Sequence, residues 1–155
     1  MPNVFRFETM LRVRKAREDE RKRVVAARLR KIASLARERQ VLEDQIRNQT
    51  ETMRTALARP QAEIVVLRWG RHWVGRLRRQ VLATDAKIAE QRAILAHERA
   101  VLTDARKETK ALDRLKERQY EAYLANERKR ELLESDELNL ARFLHARINT
   151  EDIDS

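Results

Sequence analysis

Histidines, cysteines and paired carboxylates most often carry acid–base chemistry or hold metals, and in this chain their spacing supports neither role. His72, His97 and His145 lie far apart, and none stands one helical turn from a second histidine with a carboxylate beside it. His97 is followed by Glu98, but adjacent residues project from different faces of a helix. The pairs Asp19/Glu20, Glu43/Asp44 and Asp136/Glu137 sit inside charge-rich segments, the usual setting of solvated charges. The absence of cysteine excludes disulfides and thiolate metal sites. There is no glycine-rich phosphate loop and no Gly-x-Ser-x-Gly turn. The chain is therefore expected to hold no catalytic residue, metal or cofactor, and not to be an enzyme.

The residue types that do stand out suit recognition. The stretch from Arg59 to Gly75 contains both tryptophans, both glycines and one of the two prolines. Trp69 and Trp73 are four apart and share a helix face. They lie among Ile64, Val65, Val66, Leu67 and Val74, ringed by Arg68, Arg71, Arg76, Arg78 and Arg79. Two readings are open: the tryptophans cover the open end of a turn, or the patch docks on another protein. Tryptophan and arginine are enriched at interface hot spots, and the apolar surface exceeds what a turn can hide, so docking is favoured. Ile64, Leu67, Trp69, Arg71, His72 and Trp73 are the candidate contacts.

The elements that must position this stretch are long helices. Charged residues make up 39% of the chain and aromatics only 5%, a balance that favours coiled coil over a globular core. The apolar residues are spaced too regularly for disorder. Pro2, Phe5 and Phe7 lead in, with Asn3 or Thr9 as the helix cap. A charge run from Arg12 to Arg23 follows and reads as a solvated face. Val25, Ile32, Ile46 and Met53 then fall at one heptad position, with Leu35, Leu42 and Ala56 at its partner. Arg28, Arg39 and Gln49 interrupt the seam. A helix over about 8–57 would be roughly 75 Å long.

After the hinge, Val74, Val81, Ile88, Leu95 and Leu102 repeat every seven residues, with Leu77, Ala105 and Leu112 alongside. The phase shifts after Leu112, at Leu115, Tyr120, Tyr123 and Leu124. Pro60 suits a first helical position and Gly70 a left-handed cap, so the tip is either a separate helical piece or the start of the second arm. The fold class is all-α, a long antiparallel two-helix coiled-coil hairpin with a short turn or helical segment at the tip. It reads as a single domain: arm one about 8–57, tip 58–75, arm two about 76–147 and an acidic, frayed tail 148–155. Pairing about residue 66 places position i opposite roughly 133 minus i. Leu35 then lies near Leu95–Lys107 and Leu11 near Tyr120–Tyr123, leaving the last twenty or so residues without a partner.

The net charge of +10 is uneven. Residues 1–40 hold 13 Lys/Arg against 5 Asp/Glu, residues 59–79 hold 6 against 1, and the last 25 residues hold 2 against 7. The basic stretches invite an acidic protein, anionic lipid or nucleic acid. Nucleic-acid binding would need stacking aromatics or a groove-reading motif, and Arg12–Lys31 has neither, so no nucleic acid is expected. A basic helical nucleic-acid-binding protein and a generic structural coiled coil remain the alternatives. No apolar run reaches 18 residues and no apolar signal core opens the chain, so a cytoplasmic location is expected.

The two ends of the chain resemble the flagellar export protein FliJ family, small components of the type III protein-export apparatus. The N-terminal carriers are Phe5-Arg6-Phe7 and Leu11-Arg12-Val13-Arg14. The C-terminal carriers run from Lys110-Ala111-Leu112-Asp113-Arg114-Leu115 through Tyr120-Glu121-Ala122-Tyr123, Glu127-Arg128 and Asp136-Glu137 to Arg142-Phe143. The resemblance implies a hairpin similar to the stalk of rotary ATPases. It also implies contacts with a hexameric export ATPase, the cytoplasmic domain of the membrane export gate, and export chaperones. On that basis Phe5, Phe7, Leu11, Tyr120, Tyr123 and Phe143 form the base that enters the ATPase ring, and the tip meets the gate or chaperones. The protein would be monomeric and peripherally associated with the inner face of the cell membrane. The tip tryptophans and the acidic tail have no counterpart in the family pattern.

Overall fold

A seven-residue apolar repeat is buried only when a second helix covers it, and this chain supplies both helices. A computed structural model describes residues 4–61 and 64–154. Helix α1 spans Glu8–Leu57 and helix α2 spans Ile64–Asp154, with no strand among the described residues. The architecture is an all-α helical hairpin.

The helix ends follow from local chemistry. The Glu8 amide donates to the Phe5 carbonyl at 3.2 Å and the Leu11 amide to the Phe7 carbonyl at 2.8 Å, and Glu8 places a carboxylate against the positive end of the α1 dipole. Thr9 lies inside the helix rather than capping it, and Pro2 and Asn3 lie outside the described residues. At the far end Arg54 stands in the last turn, and the Ala58 amide donates to the Arg54 carbonyl at 3.1 Å. Pro60 lies beyond, in the connection, where its missing amide and fixed φ prevent α1 from continuing. Ala62 and Glu63 lie outside the described residues. Gly70 does not form a left-handed cap. Both glycines are helical without positive φ, so the tip from Ile64 onward is continuous with the second arm.

The chain divides into two compact units, residues 16–106 and residues 1–15 with 107–155. Within the first, Arg39 Nε donates to Asp85 Oδ1 at 2.5 Å and Arg106 Nε lies 3.8 Å from Glu18 Oε1, so the paired numbers total 124. Within the second, Lys116 Nζ lies 3.0 Å from Glu8 Oε2, again totalling 124, and Arg14 Nη1 donates to Glu108 at 2.5 Å, totalling 122. Antiparallel partners therefore sit near 124 minus i, not 133 minus i. The difference arises because the turn is the short connection between Leu57 and Ile64, and α2 passes both glycines unbroken. Leu11 falls level with about residue 113, and Tyr120 and Tyr123 belong with Phe5 instead.

In the 16–106 unit the α1 seam residues Val25, Ile32, Leu35, Leu42, Ile46 and Met53 are half-buried. From α2, Val74, Leu77, Ile88, Leu95 and Leu102 are buried and Val81 is half-buried. Leu112, in the other unit, is half-buried, and Leu11 there is 1% exposed. With one covering helix each, few seam side chains lose all contact with water.

Candidate functional site

Helical geometry sorts the tip residues into a buried face and an exposed stripe beside it. Gly70, Val74 and Leu77 are buried on the side that meets α1. Val65, Trp69, His72, Trp73 and Arg76 follow at i, i+4, i+7, i+8 and i+11, so they form one stripe along the exposed flank. Val65 is 69% exposed, Trp69 68% and Trp73 41%. Both tryptophans are thus exposed rather than buried in the seam, with Trp73 at its edge, three residues from Gly70 and four from Leu77, and Trp69 further round. The Arg76 guanidinium lies 5.8 Å from the Trp73 ring centroid, a cation–π contact that orients the indole. Arg68, Trp69 and His72 line a shallow depression of about 300 Å³. Ile64 and Arg71, seven apart, share a neighbouring edge and are exposed, whereas Leu67 is half-buried.

The close approach of α1 depends on Gly70. A Cβ built there would lie 2.6 Å from Met53 Sδ and 3.2 Å from Gln49 Nε2. The seam position of Gly70 is therefore filled from the opposite helix. Five residues further, on a different side of the helix, Gly75 has nothing within 4 Å of the corresponding point.

Of the six base residues, Phe5 and Leu11 are buried and act in packing rather than as free contacts. Phe7 is half-buried and meets Phe5 edge-on at 5.9 Å. Phe5, Tyr120 and Tyr123 line one depression of about 570 Å³ together with Val4, Glu8, Arg12, Lys116 and Gln119. Phe143 does not join them: it lies about 30 Å further along α2 than Tyr123 and is 63% exposed.

Every residue from Arg128 to Ile153 is exposed, though the segment stays helical to Asp154. The packed part of α2 nucleates it, and local pairs such as Arg130–Glu127 (3.4 Å) and Arg147–Glu151 (3.7 Å) support it. Leu133, Leu140, Leu144 and Ile148 recur at spacings of seven, four and four, with Leu132 and Phe143 beside them, so one half of the helix surface is apolar and uncovered. Sequence reasoning selected only Phe143 here, although this spacing is legible in the sequence.

The interruptions of the α1 seam also acquire partners. Arg28 donates to Gln91 Oε1 at 2.5 Å and to Glu98 through Nε and Nη2 at 3.2 and 2.8 Å. Gln91, Thr84 and Thr109 are buried, and Glu98 is half-buried. Arg39 joins Asp85 to Glu43, donating at 2.5 and 2.7 Å. The hydrogen bonds that Arg28 donates to Glu98 and Arg39 to Asp85 raise the pKa of the two guanidinium groups, so both stay charged throughout the ordinary pH range. Polar layers of this kind satisfy their groups in one register only, which fixes how α2 presents its outer face.

Among the described residues no cluster of three or more His, Asp or Glu side chains is placed to hold a metal, and no helix is long and apolar enough to cross a membrane. Neither curated proteins nor solved structures gave a match to the chain. Residues 3–147, nearly the whole chain, match the family described as Flagellar FliJ protein; the chain belongs to that family and is a non-enzymatic component of flagellar protein export.

Proposed function

We propose that the protein couples the hexameric export ATPase to the membrane export gate from the cytoplasmic side, with one docking surface for each. The observation that carries this reading is a pair of exposed apolar surfaces of opposite charge, one in each unit. The Val65–Arg76 stripe is basic, and the Leu132–Ile148 helix lies in a segment with 7 acidic residues against 2 basic. Large exposed apolar patches mark partner sites, and opposite charge directs them to different partners. The depression around Phe5, Tyr120 and Tyr123, with the helix that runs on to Phe143, engages the ATPase ring. The stripe with Trp69 and Trp73 meets the cytoplasmic domain of the gate, and chaperones compete for the exposed surfaces. The chain acts as a monomer, since its seam is filled by its own second helix.

Capture of the purified chain by the tagged ATPase ring and by the gate domain tests this assignment. Trp69→Ala/Trp73→Ala is expected to abolish gate capture and keep ATPase capture; Tyr120→Ala/Phe143→Ala is expected to do the reverse. If neither double variant loses a partner, the site assignment is wrong. Intact export and motility in a deletion strain would remove the functional reading altogether.

A further inference from the structure

From Ile64 to Thr84 the chain contains five arginines and no acidic residue, and Arg59 in the connection adds a sixth. Counting Glu63, residues 59–84 carry +5, half of the net charge of the whole chain. Elsewhere in this unit cations meet carboxylates, as in Arg28–Glu98, Arg39–Asp85 and Arg47–Asp44. Among the described residues none of Arg59, Arg68, Arg71, Arg76, Arg78 or Arg79 has a carboxylate within ion-pair distance. Their charge meets no carboxylate among the described residues, and it runs along and beside a stripe of exposed valine and tryptophan.

We infer that this face of α2 lies on an anionic lipid surface. Its arginines pair with phosphate head groups, while Val65, Trp69 and Trp73 enter the boundary between head groups and acyl chains. Three features favour lipid over an acidic protein face. The indoles combine an apolar body with a polar N–H, the chemistry that settles at a membrane interface. The stripe lies outside the seam, along its flank, so α2 can rest on a surface while α1 still covers Gly70, Val74 and Leu77. Arg76 lies within the stripe and Arg68, Arg71, Arg78 and Arg79 on its flank away from the seam, a broad basic face that matches a continuous negative plane. Among the described residues no helix is long and apolar enough to cross a bilayer, and the attachment inferred is peripheral and reversible. The inference rests on the tip being a docking end, and it adds a second ligand beside the gate.

The test uses the full chain with phosphatidylglycerol-rich vesicles and with phosphatidylcholine vesicles. Both tryptophans lie in the stripe, so tryptophan fluorescence, excited at the red edge where the two tyrosines do not absorb, reports on this face alone. Co-sedimentation with the anionic vesicles only, reversed by salt and accompanied by a blue shift of emission, is expected. Arg68→Gln, Arg71→Gln and Arg76→Gln should each weaken partitioning about five-fold. A control with the same number of charges removed, at Arg17, Arg21 and Arg30 of α1, should leave it unchanged. Binding without an emission shift, or equal loss in the α1 control, overturns the proposal, because attraction would then be diffuse. Absence of vesicle binding while gate capture still depends on Trp69 and Trp73 also overturns it, and leaves the coupling reading standing. Circular dichroism of each variant confirms that the helices persist.

Discussion

Gly70 and Gly75 offer a matched pair of substitutions in one helix, with opposite expected signs. Both residues are helical and neither has positive φ, so alanine fits the backbone at each position. Replacing a helix-interior glycine by alanine gains about 1 kcal/mol of propensity. At Gly75 nothing lies within 4 Å of the new Cβ, so Gly75→Ala should stabilise by nearly this amount. In a thermal melt that is about 2–4 °C for a chain of this size. At Gly70 the new Cβ would come within 2.6 Å of Met53 Sδ and 2.7 Å of Cγ. Carbon contacts settle near 3.5–4.0 Å, so Met53 must retreat by about 1 Å against its neighbours. Overpacking of this kind costs about 1–3 kcal/mol, which cancels or reverses the propensity gain. The two variants should therefore differ by about 1–3 kcal/mol in urea denaturation. In a Met53→Ala background the obstruction is gone, and Gly70→Ala should become stabilising, a coupling that a double-mutant cycle measures directly. If Gly70→Ala stabilises the unaltered chain as much as Gly75→Ala does, α1 does not approach α2 at this level and the register near 124 minus i is refuted.

Four further outcomes follow from the same geometry. Leu77, 2% exposed, is the most enclosed side chain of the 16–106 unit, and Leu77→Ala should cost about 2–5 kcal/mol in denaturant unfolding. Arg28→Glu should lower the melting temperature by placing a carboxylate against Glu98, and the exchange Arg28→Glu/Glu98→Arg should recover most of the loss. Replacing Arg28, Gln91 and Glu98 together by leucine should keep or raise stability while permitting shifted registers or association, visible by light scattering. Leu140→Ser/Phe143→Ser/Leu144→Ser lies where every residue is exposed and should change stability by no more than about 0.5 kcal/mol. The same triple variant should weaken ATPase capture, and an unchanged capture would separate this helix from that partner.

The extent to which the molecule was legible in its sequence depends on the range of the interactions involved. Helices are local, so the repeat of Val74, Val81, Ile88, Leu95 and Leu102 announced a buried stripe without knowledge of what covers it. The charge signs and the concentration of tryptophan and arginine were equally plain, because composition needs no coordinates. The family resemblance carried by the two ends agrees with the match over residues 3–147. The seam interruptions Arg28, Arg39 and Gln49 were visible too, yet their complements were not recognised. Gln91 and Glu98 occupy the companion heptad position of the second arm, and reading the two seams against each other would have exposed the polar layer.

What tertiary structure alone decided is register and facing. Proline and glycine marked a hinge but not which of them breaks the chain. Pro60 lies where α1 ends, because a proline cannot donate the next helical hydrogen bond, whereas Gly70 and Gly75 remain within α2. That choice moves every cross-helix pair by nine residues and lengthens the uncovered helix beyond Glu127. It also sends Trp69 and Trp73 outward rather than over the seam. The sequence by itself determined that two long helices must cover one another and that the hinge is rich in tryptophan and arginine, since periodicity and composition are properties of neighbouring residues. Which faces remain for partners was settled only when distant segments were brought into register.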